Sequence, residues 1–209
     1  MIKLKKIKTK AILCEGLLFL CKSEPIIARA IEEVRNIDLR YRQDGFTALF
    51  KAIVSQQLSV AAASTIWSRI ESANLISEEM VISASEEKLR SCGLSRQKIR
   101  YCKALASAGI DFEILRNCSV EEVVTVLTKV SGIGRWTAEI YAMFSLGHSD
   151  VMPAGDLALQ EGARMLLGLD ERPTESELRD ISKMWSPWQS VASLVLWNYY
   201  GKFKGREGI

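Results

Sequence analysis

Histidine occurs once in this chain, at position 148, and its five cysteines, at 14, 21, 92, 102 and 118, include no Cys-x-x-Cys pair. That scatter lacks the ligand spacing of a zinc centre and offers no disulfide framework. An odd number of separated thiols fits a reducing compartment, with most of them expected in the core as small hydrophobes. Proline is scarce, at four in 209 residues, and no Pro/Gly-rich or low-complexity stretch marks a linker. No apolar run approaches the roughly 18 residues of a membrane span. Leu17-Leu18-Phe19-Leu20 is too short for a signal core and is flanked by Cys14, Glu15 and Lys22. The expected location is therefore intracellular, with no membrane partner. No segment alternates apolar and polar residues as a half-buried strand would. Gly-Lys-Ser and Gly-Lys-Thr are absent as well, which argues against a nucleotide P-loop.

Apolar patterning is what the chain does have. Hydrophobic residues make up 48% and charged residues 25%, enough for one large domain or two closely packed lobes. The net charge of +3 is only a weak pointer to nucleic acid. Lysine fills five of the first ten positions, and Lys202, Lys204 and Arg206 form a second basic end. Solvated termini explain both without a ligand.

Helical periodicity runs through the rest. Ala11 to Cys21 and Pro25 to about Val34 read as two helices, the second with proline in its first turn. Asp38 to Gly45 is polar and turn-like. Phe46–Ser55 is an apolar helix, and Val60–Ile70 follows with a small Ala61-Ala62-Ala63 face. Between them, Ser55-Gln56-Gln57-Leu58-Ser59 is either a turn capped by Ser59 or a polar loop that reaches into something. Ser85 opens a short helix that ends at Cys92-Gly93, and Ser95 caps Arg96–Ala108. Ser119-x-x-Glu122 and Thr174-x-x-Glu177 are capping boxes. Ser186-Pro187-Trp188-Gln189 reads as a third cap, with the helix before it burying Leu178, Ile181, Met184 and Trp185. The last helix offers Val191, Leu194, Val195 and Trp197. Some ten helices and no strand predict an all-α protein whose second lobe is made from both chain ends.

Val130-Ser131-Gly132-Ile133-Gly134-Arg135 separates two of these helices with glycines on either side of one apolar residue. Glycine permits positive φ and removes the Cβ that would keep another molecule away. Ile133 should face inward. The helix beyond, Arg135–Leu146, presents free N–H groups and a positive dipole end, an arrangement that binds phosphate. A Gly-x-Gly turn alone is a weak signal. Helices on both sides argue against a dinucleotide fold and suit the backbone of a polymer.

Taken with Trp136-Thr-Ala138, Leu146-Gly147, Asp150, Pro153 and Asp156-Leu-Ala-Leu159, the hairpin resembles the helix-hairpin-helix DNA glycosylase superfamily, and within it the 3-methyladenine DNA glycosylase II type. The likeness spans about Phe46 to Gly201 and includes Ile53-Val-Ser-Gln-Gln-Leu-Ser-Val60, Leu89-x-x-Cys-Gly-Leu-Ser-x-x-Lys98 and Trp185-Ser-Pro-Trp-Gln189. It implies a two-lobed helical fold with the active site in the cleft between lobes: a central lobe of residues 46–150, and a second from 1–45 and 151–209. It also implies a monofunctional enzyme of base excision repair that flips alkylated purines out of double-stranded DNA and hydrolyses their N-glycosidic bond. The alternatives are a non-catalytic damage-binding protein and a glycosylase for hypoxanthine or ethenoadenine.

The same resemblance assigns roles. Asp156, about 20 residues beyond the hairpin, is the catalytic acid, and it could equally cap the helix Leu157–Leu167. Asp150 is read as a cap or turn residue. A carboxylate beside the anomeric carbon stabilises oxocarbenium charge and orients the attacking water. Lyases of the superfamily carry a lysine two residues after the second hairpin glycine; this chain has Trp136, which implies hydrolysis without strand cleavage. Trp136, Trp197 and Tyr141 are the candidates for an aromatic pocket that favours a cationic base. Ile140 stands where the family often has a pocket tyrosine. Trp185 and Trp188 are assigned to the core. Gly132, Ile133, Gly134, Arg135 and Thr137 are expected at the DNA backbone, with Gln57, Leu58 and Ser59 on the loop that fills the gap left by the flipped base. Gln57 is favoured as the wedge, with Leu58 second. Arg96, Lys98 and Arg100 could add phosphate charge or form a solvated face. No iron–sulfur cluster is expected, because no cysteine follows Cys118. A monovalent cation on the carbonyls of Thr128, Val130 and Ile133 is a further family feature. The protein is expected to be a monomer, and a compact one: longer bacterial members carry a β-rich domain ahead of the helical core.

Overall fold

The computed structural model describes residues 5–205, and helices are its main regular structure. Hydroxyl caps punctuate it. α1 (Lys10–Ser23) begins at Thr9, whose side chain accepts from the Ile12 N–H, and α2 (Pro25–Val34) starts on proline. α3 (Phe46–Ser55) runs into a turn, and Ser59 then caps α4 (Val60–Ser72). Ser77, Ser85 and Ser95 cap α5 (Glu78–Ser83), α6 (Glu86–Ser91) and α7 (Arg96–Ala106) in the same way. Asp111 caps the single turn α8 (Phe112–Leu115), and both halves of the Ser119–Glu122 capping box are present at α9 (Val120–Leu127). α10 (Arg135–Phe144) follows the glycine hairpin. α11 (Leu157–Leu167) begins at Asp156 and ends on left-handed Gly168. The Thr174 capping box opens α12 (Glu175–Ser182), a 3-10 turn spans Lys183–Trp185, and α13 (Gln189–Lys204) closes the chain. Each side-chain cap is worth about 1 kcal/mol. Among the described residues, β structure is limited to an isolated bridge between Lys6 and His148.

Two compact units emerge. One holds residues Arg42–Tyr141; the other joins the chain up to Tyr41 with the chain from Ala142 onward. In the first, α3 packs on α4 and α7, and α7 also packs on α5 and α6. Its core holds Leu49, Phe50, Ile53, Ile70, Leu89, Ile99 and Leu105, with Trp67 edge-on to Phe50. In the second, α13 packs against α11, α2 and α1. α13 is buried on nearly every face from Ser190 to Trp197, as a helix at the centre of a unit should be. Gly16 makes this close packing possible: a Cβ there would lie 2.6 Å from the Trp188 ring and 2.7 Å from Val191.

The structure corrects several expectations. The contact boundary lies between Tyr141 and Ala142, inside α10, and not at 150. The last turn of that helix belongs with the chain ends because Phe144 stacks on Trp197 and His148 N–H donates to the Ala142 carbonyl. Ser186 is not a helix cap. Its hydroxyl donates to Asp150 at 2.6 Å, and Asp150 in turn accepts the Gln189 N–H at 3.4 Å, so Asp150 fills the capping position from elsewhere in the chain. Met184 is exposed because the helix breaks into a 3-10 turn before it, which rotates it off the buried face of Leu178 and Trp185. Only Cys92 and Cys102 are buried; Cys14 is exposed, and Cys21 and Cys118 are partly covered. The short helices α5 and α8 were not anticipated, although Ser77-Glu-Glu79 and Asp111 signal both starts. Arg206 lies outside the described residues.

Candidate active site and DNA-binding elements

Asp156 is buried, and one carboxylate oxygen collects three donors. Oδ1 accepts the N–H groups of Ala158 at 2.9 Å and Leu159 at 3.0 Å, and the indole Nε1–H of Trp197 at 3.1 Å. The two backbone bonds are those of an N-cap, as the capping reading of this residue expects. A negative group at a helix N-terminus also meets the positive end of the helix dipole. Trp197 is wholly buried and stacks on Phe144 at a centroid distance of 5.8 Å. Its indole edge is therefore directed to the carboxylate.

The segment that carries Asp156 is held from several sides. Gln160, one turn into α11, donates from Nε2 to the Ala154 carbonyl at 2.8 Å. Arg179 donates to the Met152 carbonyl at 3.3 Å and pairs with Glu175. Ser190 donates to the His148 carbonyl at 2.7 Å and accepts the Val151 N–H. None of these braces was singled out from the sequence. Gln160 was discoverable, because it lies four residues beyond Asp156 on the same helix.

His148 sits at the base of this segment, buried, with Nε2 at 2.9 Å from the Lys6 ammonium. Burial, and then the Lys6 charge, push its pKa down to about 4. The imidazole is thus neutral, and Nε2 is the acceptor.

In the central unit the two hairpin glycines differ. Gly132 has φ +94°, and a Cβ there would fall 2.3 Å from the ring of Tyr101, so both backbone and packing demand glycine. Gly134 meets nothing within 4 Å of its missing Cβ and is exposed. Space left open there serves no internal packing and admits close approach from outside. Ile133 is buried as expected, and its N–H closes the turn onto the Val130 carbonyl at 3.0 Å.

The turn after α3 is also specific. Leu58 N–H donates to the Ser55 carbonyl, with Gln56 at φ −52°, ψ 129° and Gln57 at φ +56°. This resembles a type II turn, in which the third residue is usually glycine. Holding glutamine there costs of order 1 kcal/mol. Gln57, Leu58, Ser59 and Val60 are all exposed, and Ser59 additionally caps α4.

The remaining candidates are placed as follows. Trp136 is a part-exposed indole at the start of α10, whereas Thr137 is buried. The Arg135 side chain is engaged within the protein, with Nη2 2.7 Å from Glu121 and Nε 2.9 Å from buried Glu139. Tyr141 is buried and its hydroxyl accepts the Gly45 N–H at 2.9 Å. Trp185 and Trp188 are core residues. Arg96 and Arg100 are exposed, while Lys98 turns inward, donating to the Val54 carbonyl at 2.5 Å. Among the described residues, no group of three or more His, Cys, Asp or Glu side chains could hold a metal ion, and no helix is long and apolar enough to cross a membrane.

Comparison with known proteins places the chain in a family. Residues 50–187 match the model of the HhH-GPD superfamily of base excision DNA repair proteins. DNA-3-methyladenine glycosylase 1 of Schizosaccharomyces pombe is 34% identical over 165 residues, 75% of this chain and 72% of that protein. The crystal structure of a DNA-3-methyladenine glycosidase from Bacillus halodurans superposes with a TM-score of 0.81 at 32% identity, covering 99% of this chain and 96% of the other. The Schizosaccharomyces pombe enzyme in complex with abasic DNA gives a TM-score of 0.72 at 31% identity, covering 88% of this chain and 97% of that one.

Proposed function

The chain belongs to the HhH-GPD superfamily of base excision DNA repair proteins, and from that premise we propose that it is a monofunctional DNA glycosylase for alkylated purines. It acts as a monomer on double-stranded DNA in the cytoplasm or nucleoid, and leaves an abasic site. The observation that carries this reading is the Asp156 carboxylate, buried and oriented by two helix N–H groups and the Trp197 indole. The relatives named DNA-3-methyladenine glycosylase support the substrate class.

Alkylation at a ring nitrogen makes the purine cationic, so breaking its bond to C1′ releases a neutral base and leaves positive charge on the sugar. Asp156 stabilises that charge, and takes up the proton as water adds to C1′. The three donors fix the carboxylate before the reaction, so little reorganisation is needed as charge develops. Trp136 stands at the position from which a lysine would attack the sugar. Without that amine no Schiff base forms and the strand stays intact. Its exposed ring suits stacking on a cationic base. The N–H groups beyond Gly134 bind a phosphate, and the Gln57–Leu58 turn enters the space left by the flipped nucleotide. The carbonyls of Thr128, Val130 and Ile133 would hold a monovalent cation against that phosphate. Val130 O accepts one bond, from Ile133 N–H, and a carbonyl has a second lone pair to offer.

The test is to incubate methylated duplex DNA with the wild type and with Asp156→Asn, then heat in alkali to reveal abasic sites. The wild type should yield alkali-labile sites, and Asp156→Asn at least about 100-fold fewer per unit time. Equal activity in the two proteins overturns the catalytic assignment, and strand breaks without alkali overturn the monofunctional one.

A further inference from the structure

Gln56 lies beside the turn tip, half-buried, and its side chain points away from it. Nε2 donates to the carbonyl of Gly132 at 2.8 Å. This single side chain joins the turn after α3 to the glycine hairpin, elements 76 residues apart in sequence. Both partners also rest on α7. Lys98 donates to the Val54 carbonyl, the last buried residue of α3 before the turn, and the ring of Tyr101 lies directly under Gly132. Gln97 fixes that ring by donating to the Tyr101 hydroxyl at 2.6 Å. Turn, hairpin and α7 therefore form a closed set of contacts in which Gln56 is the direct tie between the two outward-facing parts.

We infer that Gln56 is a positioning residue which locks the base-stack wedge to the phosphate-gripping hairpin, so that gripping the backbone sets the depth and angle at which the wedge enters the duplex. This rests on the reading of the hairpin and turn as DNA-binding elements. The strained backbone of Gln57 fits the same role: a left-handed glutamine persists only where its surroundings hold it. The amide is suited to the task because it is a neutral donor of the right length. Methionine has similar reach without the donor, and an ionised glutamate presents only acceptors to the Gly132 carbonyl.

The test compares wild type, Gln56→Met and Gln56→Glu on two DNAs under single-turnover conditions: a methylated purine in a fully paired duplex, and the same purine opposite an abasic-site analogue. The unpaired lesion has much of its flipping cost already removed, so it needs the wedge less. On the paired substrate both variants should be slower by about tenfold or more, and on the unpaired one by no more than about twofold. A merely structural defect would slow both alike, and equal losses on the two DNAs overturn the proposal, as does unchanged excision from the paired duplex. A second measurement does not depend on excision. Fluorescence of 2-aminopurine placed next to a tetrahydrofuran abasic analogue should rise on binding wild type, as the wedge unstacks it, and rise much less with Gln56→Met. If wild type excises nothing while that difference persists, the glycosylase reading falls and the tie between turn and hairpin stands. If the fluorescence rise is the same for both proteins, the tie is overturned.

Discussion

The indole N–H of Trp197 donates to the Asp156 carboxylate at 3.1 Å, from a ring that is wholly buried and stacked on Phe144. From the sequence, Trp197 was a candidate for the wall of the base pocket; in the structure its polar edge is bound to the acid. Trp197→Phe keeps an aromatic ring and removes the donor. One such hydrogen bond to a charged group is worth roughly 1.5 kcal/mol or more, so the single-turnover rate should fall about tenfold with DNA affinity nearly unchanged. The smaller ring also leaves a cavity, and the melting temperature should drop by a few degrees. A variant that loses affinity while keeping its rate would return Trp197 to the pocket.

The two hairpin glycines should fail in different ways. Gly132→Ala forces a side chain into φ +94° and onto the Tyr101 ring, so it should destabilise the protein by about 2 kcal/mol or more. Gly134→Ala meets no internal obstacle. It should leave the melting temperature within about a degree and weaken duplex binding, with the loss visible at every salt concentration and the salt slope little changed. Loss of stability in Gly134→Ala, or intact binding by it, would count against a face kept open for DNA.

Acid should loosen the unit that holds His148. Its pKa in the folded protein is about 4 because burial, followed by the Lys6 charge, disfavours the imidazolium. In the unfolded chain it returns to about 6.5. The unfolded state therefore binds more protons between those values, and stability falls as pH drops from about 6.5 towards 4. The ceiling is about 3 kcal/mol. Denaturant titrations across that range should show the slope, and His148→Gln should flatten it. An unchanged slope in the variant would place the titrating group elsewhere.

Much of this was legible in the chain, for identifiable reasons. Helix starts are local events: one hydroxyl or carboxylate satisfies N–H groups two or three residues on, so Ser59, Ser119, Thr174 and Asp156 could be read directly. Ile133 was readable because two glycines leave it as the turn's one apolar anchor. What could not be read depends on partners far apart in sequence. Asp150 could be read as a cap, but not that the helix it caps begins 39 residues away; nor could it be read that Gln56 reaches Gly132 or that Tyr141 receives the Gly45 N–H. The Arg135 guanidinium likewise meets Glu121, on a different helix, besides Glu139 on its own. Ser186-Pro187 is the same case: the Ser186 hydroxyl donates to Asp150, and Asp150 rather than Ser186 accepts the Gln189 N–H.

The approach of α11 to α13 brings Asp156 and Trp197 together, and Gly162 is what permits it. A Cβ at position 162 would lie 2.8 Å from the Leu196 carbonyl oxygen and 3.4 Å from its carbon. Both are backbone atoms of the residue before Trp197, so they cannot turn aside as a flexible side chain could. Alanine in place of a mid-helix glycine ordinarily gains up to about 1 kcal/mol from helix propensity. Forcing a methyl into a filled helix contact costs about 1–3 kcal/mol, which cancels or exceeds that gain. Gly162→Ala should therefore melt no higher than wild type, and up to a few degrees lower. The rate should suffer more than the stability, because any sliding of α13 moves the Trp197 N–H relative to an oxygen on α11. A several-fold slower single turnover, with duplex affinity retained, is the expected result. If Gly162→Ala instead melts higher and turns over normally, the two helices have slack at their crossing, and the geometry around Asp156 does not depend on this glycine.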